Sequence, residues 1–194
     1  MQAAFVHARA AVCALASASG FRLRDYATTL TVAAAAGGML VTGQVGDGAV
    51  VALDSSGYLF SATQLQKGEY ANETHFLTQR DVLRTLAVQV FYQPVNALAV
   101  LSDGLLRLAL RMPSGEPHPP FFQPLFGFAA SAPQEEQANQ QLSAFLNSQR
   151  VCARTDDDKT LVLVAYTASR ALAVWDPAHP IGFVGDNGAE AAKG

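Results

Sequence analysis

Cysteine is almost absent. Cys13 and Cys152 are the only two thiols, far apart and in no pattern. They give no disulfide framework, and two lone thiols suit a reducing cytosol, so a cytoplasmic protein is expected. Basic blocks are missing as well. The net charge is −3, and no Lys/Arg stripe supplies the electrostatic footprint of a nucleic-acid binder. No uninterrupted apolar run reaches the length of a membrane span, so no membrane partner is expected. Nothing in the pattern marks an oligomeric state. Ala10–Ala16 followed by SASG has a faint likeness to a signal peptide, but no Lys or Arg precedes His7. No GxSxG, cysteine-based loop or P-loop offers a nucleophile or a phosphate cradle. Charge of either sign is scarce. Only 15% of the 194 residues are charged against 50% hydrophobic, enough apolar material for a sizeable core. One domain over residues 1–175 is expected, followed by a loosely ordered tail, 176–194, rich in proline, glycine and alanine.

What is present reads as strands and turns followed by helices. Gln2–Ser19 is expected to be an alanine-rich helix that Gly20 ends. Thr28–Ala36 and Met39–Val45 read as strands joined by a Gly37-Gly38 turn. Gly46-Asp47-Gly48 reads as a second hairpin turn and Ala49–Leu53 as a third strand. Asp54–Gly57 then turns into Tyr58–Ser61. The short turns indicate an antiparallel meander. Leu83–Tyr92 and Asn96–Leu101 are further strands, with Pro94 between them. Gly104–Leu110 looks like a helix start. Phe121–Ala130 reads as a helix packed on the core, with Phe121, Phe122, Phe126 and Phe128 inside. Residues 133–148 open with Glu135 and Glu136, acids suited to a helix N-terminus. Leu161–Tyr166 is a buried strand, with Ala171–Trp175 its expected partner.

Three acids share one local grammar. Asp47 follows GQVG and precedes GAVVAL. Asp103 follows ALAVLS and precedes Gly104. Asp157, with Asp158, precedes Lys159-Thr160 and the run LVLVAY. Each stands where an apolar strand begins or ends. Carboxylates converging at one sheet edge would repel each other and be costly to desolvate. A hard divalent cation resolves both problems, and oxygen-only ligation favours Mg²⁺ or Mn²⁺. No His or Cys cluster competes as a zinc site. Pattern alone leaves ordinary turn chemistry equally open, because Asp beside Gly is common in turns.

Taken in order, TTLTVAAAAGGMLVTGQVGDGAVVAL, ALAVLSDGLLRLAL and RTDDDKTLVLVAY resemble successive segments of the metal-dependent protein phosphatases, the protein phosphatase 2C family. KGEYANETHFLT and PPFFQPLF resemble its bacterial branch. The resemblance runs from about Tyr26 to Tyr166. It implies an α+β fold, a four-layer α-β-β-α sandwich of two antiparallel sheets flanked by helices, with metals at one end. It implies that Asp103 and Asp157 bind the same Mg²⁺ or Mn²⁺, and that Asp47 shares an auxiliary, weaker metal with Asp103. It implies a phosphoprotein substrate, whose phosphoserine or phosphothreonine is hydrolysed by in-line attack of a metal-activated water.

The family begins with two strands that would precede Gln2 and carry an early acidic motif and DGxGG, whose Asp bridges the two central metals. Neither motif is in these residues. The expectation is therefore an N-terminally truncated domain, nearly inactive in this form, in which one central metal keeps two protein ligands and the other none. The alternative is a non-catalytic phosphatase-fold module that binds or regulates. His7, His75, His118 and His179 are scattered; His118 reads as surface loop and His75 as solvated or structural. Glu69 and Glu73 read as exposed loop. Arg80 and Arg84 are the remaining candidates for phosphate contact.

Overall fold

The alanine-rich N-terminus folds as expected, because alanine loses the least on entering a helix. Helix α1 spans Gln2–Ser19, and Gly20 ends it in the left-handed conformation at φ 73°. The structure, a computed structural model, describes residues 1–65, 74–132 and 134–166. The expected Ala171–Trp175 strand, the tail 176–194 and the acids Glu69 and Glu73 lie outside those residues.

Nine strands follow among the described residues: β1 (Leu30–Ala36), β2 (Met39–Val45), β3 (Ala49–Asp54), β4 (Leu59–Ser61), β5 (Ala87–Phe91), β6 (Val95–Leu101), β7 (Leu110–Arg111), β8 (Glu116–Pro117) and β9 (Leu161–Ala165). Gly37 and Gly38 both have positive φ, 58° and 77°. That is the backbone a two-residue hairpin needs, and it sets Ala36 opposite Met39. The strands form one sheet in the order β1-β2-β5, a second in the order β4-β3-β6-β9, and a β7-β8 ribbon.

Three expectations need correction. Gly46-Asp47-Gly48 is not a hairpin: β2 lies in one sheet and β3 in the other, so the turn carries the chain between sheets. Five of the six β3 residues are buried, as a strand covered on both sides requires. Second, Leu83–Tyr92 is not one strand. Val82–Thr85 is a short helix, α2. Only Ala87–Phe91 finds a partner, because β2, which Ala87 meets at Gln44, ends one residue later at Val45. Third, the helix expected from Gly104 lasts a single turn. Asp103–Leu105 is 3-10 and Leu106–Ala109 is α3, after which Leu110 enters the β7-β8 ribbon.

Helices α4 (Pro119–Ser131), α5 (Glu135–Leu146) and α6 (Gln149–Cys152) complete the described fold. His118 is the N-cap residue of α4 rather than part of a surface loop, since prolines at the first two helical positions lose no needed hydrogen bond.

The side chains sort into three apolar clusters that define four layers. Phe5 of α1 packs with Val45, Leu77 and Val82 on one side of the first sheet. Leu40, Val50, Ala52, Val95 and Leu98 fill the space between the sheets. Val51, Ala99 and Leu101 meet Phe121, Phe122, Leu125, Phe126 and Phe145 beyond the second sheet. Along β3, Val50 and Ala52 point one way and Val51 and Leu53 the other, the period-two alternation of a strand. This is the α-β-β-α sandwich implied by the sequence.

The β3-β4 hairpin is held by one carboxylate. Asp54 Oδ1 accepts from the Ser56 amide at 2.8 Å, the Ser56 hydroxyl at 2.6 Å and the Tyr58 amide at 2.9 Å. The Ser56 hydroxyl, with the Tyr58, Ser56 and Gly57 amides, outweighs desolvation and holds its pKa below the usual carboxylate value. A depressed pKa contributes stability that is present above the unfolded value and is lost as pH falls through the folded one. Asp54→Ala is therefore expected to lower the melting temperature at neutral pH. The gap from wild type narrows as the pH drops below about 4; thermal melts across that range check it.

Candidate metal centre

Strand register brings the three sequence-predicted acids to one edge of the second sheet. Leu101, at the end of β6, lies opposite Ala49 at the start of β3 and opposite Leu161 at the start of β9. Asp103 follows Leu101 by two residues. Asp47 precedes Ala49 by two, and Asp157 precedes Leu161 by four. Antiparallel pairing thus turns three distant sequence positions into neighbouring loops.

Each loop is fixed by specific bonds. Gln44, 1% exposed, donates through Nε2 to the carbonyls of Gly46 (2.9 Å) and Gly48 (2.6 Å) and clamps the crossover from inside. Gly46 has φ 105°, a conformation that favours glycine. Asp47 is half-buried between them. The Thr74 hydroxyl donates to Asp47 Oδ2 at 3.0 Å.

The Asp103 and Asp157 loops are stapled together by Ser102. Its amide donates to the Thr160 carbonyl at 3.1 Å, and its hydroxyl to the Asp158 carbonyl at 3.3 Å. The same hydroxyl accepts the Thr160 amide at 3.0 Å. Gly104 closes the joint: it is buried, and a Cβ there would strike the Asp158 carbonyl. The Gly104 amide donates to Asp103 Oδ1 at 2.9 Å, and the Asp158 amide to Asp157 Oδ1 at 2.8 Å.

Of the three acids, Asp103 is the one that feels the other two. Partial desolvation by the adjoining loops pushes the Asp103 carboxyl above its usual pKa although the residue is open to solvent, and the charges of Asp47 and Asp157 push it further the same way. Yet among the described residues no group of three or more His, Cys, Asp or Glu side chains is gathered as a ready metal cage. The carboxylates repel through space without closing on a common point. Asp103 and Asp157 are exposed. An all-oxygen, part-hydrated donor set suits a cation bound by one or two carboxylates that keeps several waters, as Mg²⁺ does. The residues present fit such an ion.

Residues that composition did not single out hold the site together: Gln44, Thr74, Ser102 and Gly104. All four lie within the segments that carried the resemblance, Ser102 and Gly104 directly beside Asp103, but nothing there marked what their side chains or backbone would touch. His75 comes near by its backbone, whose carbonyl would lie 3.3 Å from a Cβ on Gly46.

Two antiparallel sheets packed face to face between helices, with acid-bearing loops at one end of the second sheet, define the class of domain. Within it, the chain belongs to the protein phosphatase 2C family, whose model matches residues 2–147. Asp47 and Asp103 fall inside that span and Asp157 beyond it. Serine/threonine-protein phosphatase 3 of Escherichia coli K12 is 40% identical over 154 residues, 78% of this chain and 60% of that protein. The chain thus spans about three-fifths of the length of this curated relative. A crystal structure of a bacterial serine phosphatase is 16% identical with a TM-score of 0.47, covering 72% of this chain and 57% of that one. The serine/threonine phosphatase Stp1 from Staphylococcus aureus is also 16% identical, with a TM-score of 0.45, covering 72% and 56%. No described helix is long and apolar enough to cross a membrane.

Proposed function

We propose that this chain carries the catalytic face of a metal-dependent protein serine/threonine phosphatase that hydrolyses phosphoserine and phosphothreonine in phosphoproteins. The observation that carries the reading is the placement of Asp47, Asp103 and Asp157 on neighbouring loops at one end of the second sheet, with the Asp103 carboxyl pushed up by partial desolvation and by the other two. Membership of the family and the name of the Escherichia coli relative support the substrate class. Asp103 and Asp157 would hold one Mg²⁺ or Mn²⁺, and Asp47 with Asp103 a second, weaker one. When bound, such ions neutralise phosphoryl oxygens and make water a stronger nucleophile at neutral pH.

The chain's own groups set the stage for that chemistry. Ser102 keeps the Asp103 and Asp157 loops in register. Gln44 fixes the backbone on both sides of Asp47. The exposed carboxylates stay open to a phosphoryl group arriving from solvent. The sequence lacks DGxGG, so the activity test uses the chain joined to the two family strands that carry it.

Release of nitrophenol from p-nitrophenyl phosphate, and of phosphate from a phosphothreonine peptide, is expected only with Mn²⁺ or Mg²⁺. EDTA should remove it and excess Mn²⁺ restore it. Turnover that survives EDTA would overturn the reading.

A further inference from the structure

The crossover that bears Asp47 is gripped on two sides, and only one grip belongs to the strands. From inside, Gln44 holds the carbonyls of Gly46 and Gly48. That fixes the backbone but leaves the Asp47 side chain free to rotate. From outside, residues 74–77 lie against the turn. Leu77 anchors them: it is 3% exposed, packs with Phe5 and Val45, and its amide donates to the Thr28 carbonyl at 2.7 Å. Gly46 itself leaves no room for a Cβ between the Thr29 side chain and the His75 carbonyl. At the near end of this segment the Thr74 hydroxyl, part-buried, meets Asp47 Oδ2 at 3.0 Å.

We propose that Thr74 is a positioning residue for Asp47, and that residues 74–77 therefore belong to the metal centre although they supply no ligand. The inference rests on the reading of Asp47 as a cation ligand. Its chemistry is simple. A hydroxyl has one proton to give, and an ionised carboxylate accepts at about four lone-pair sites. One bond from Thr74 fixes the carboxylate's rotation and leaves the remaining lone pairs for a cation. Threonine is neutral, so it orients the acid without competing with the ion for its charge, as an Arg or Lys would. Its β-branch restricts χ1, so the hydroxyl is already aimed. Partners of this kind, one step removed from a metal, typically change affinity by about 10- to 100-fold.

The test is direct Mn²⁺ binding to the 194-residue chain, followed by electron paramagnetic resonance and calorimetry, with no substrate present. Asp47→Asn first identifies the binding that depends on Asp47. Thr74→Val, which keeps the shape and removes the proton, is expected to weaken that binding at least about 10-fold. Thr74→Ser, which keeps the proton, is expected to restore it. In the Asp47→Asn background, Thr74→Val is expected to change nothing further; a merely structural residue would still act there. Melting in EDTA tells whether Thr74→Val disturbs folding, and if it does, the serine variant and the double variant carry the test. Wild-type binding by Thr74→Val overturns the proposal. So does a loss by Thr74→Val that persists in full without the Asp47 charge. A wild-type chain that binds no Mn²⁺ overturns the metal reading as well, and this shows before any variant is made.

Discussion

Asp103→Asn is expected to abolish Mn²⁺-dependent phosphate release by the strand-completed protein, by at least about 100-fold, since even partners behind a metal ligand cost up to that much. It is expected at the same time to make the metal-free chain more stable. Both effects have one origin. Asp103 is the acid on which the other two act: partial desolvation raises its pKa first, then the charges of Asp47 and Asp157. Without a cation that charge is a cost to the fold, and asparagine removes it while keeping an oxygen to accept the Gly104 amide. The pH dependence follows in sign. A carboxyl whose folded pKa lies above its unfolded value destabilises the chain above the folded pKa, and the penalty fades as pH falls toward the ordinary value of 3.8. In EDTA, the advantage of Asp103→Asn in melting temperature is therefore largest at neutral pH and shrinks on acidification. Full metal-dependent activity in the variant, or a variant less stable than wild type at pH about 7 in EDTA, would remove Asp103 from the centre of the site.

Gly104→Ala is expected to cost about 1–3 kcal/mol of stability, the usual range for overpacking, and to weaken Mn²⁺ binding by at least about 10-fold. The argument is spatial, not conformational, because Gly104 is not among the glycines with positive φ. A methyl group there meets the Asp158 carbonyl oxygen and comes within 3.2 Å of Asp157 Cβ. Neither obstacle is the free end of a long side chain. The loop bearing Asp157 must move away from the loop bearing Asp103, against the Ser102 bonds that hold them. Urea denaturation reads the first effect and Mn²⁺ calorimetry the second. An alanine variant equal to wild type in both would show that the two acidic loops are not in contact.

Much of the scaffold was legible because local signals agreed with the tertiary outcome. Alanine content and Gly20 set the limits of α1, and Gly37-Gly38 set the β1-β2 register. Val50 and Ala52 of β3, with Leu98 and Val100 of β6, fill the space between the sheets at every second position. The acids were legible as a set because each abuts an apolar run, and their order carried the family resemblance. The crossover was not legible. Gly-Asp-Gly has the same composition whether the chain folds back or changes sheets, and the choice depends on β5 and β6, which lie dozens of residues away. The α2 turn was hidden for a similar reason: Val82–Thr85 is apolar enough for a strand, but β2 offers it no partner. The hydroxyl clamps at Ser102 and Thr74 lay inside segments that carried the resemblance, yet nothing local marked them as clamps. Serine and threonine are common at surfaces, and what distinguishes these two is only what they touch.

The change of sheet at Gly46–Gly48 ties the site to the inside of the protein. Asp47 hangs where the first sheet hands the chain to the second, whereas Asp103 and Asp157 ride on the second alone. The residues on either side of the turn therefore answer to different layers: Val45 packs under α1, whereas Val50, beyond Asp47, fills the space between the sheets with Leu40 and Leu98. The rim of the sandwich carries carboxylates and its filling is aliphatic, so the loop that bears Asp47 is tied at both ends to side chains buried in the core.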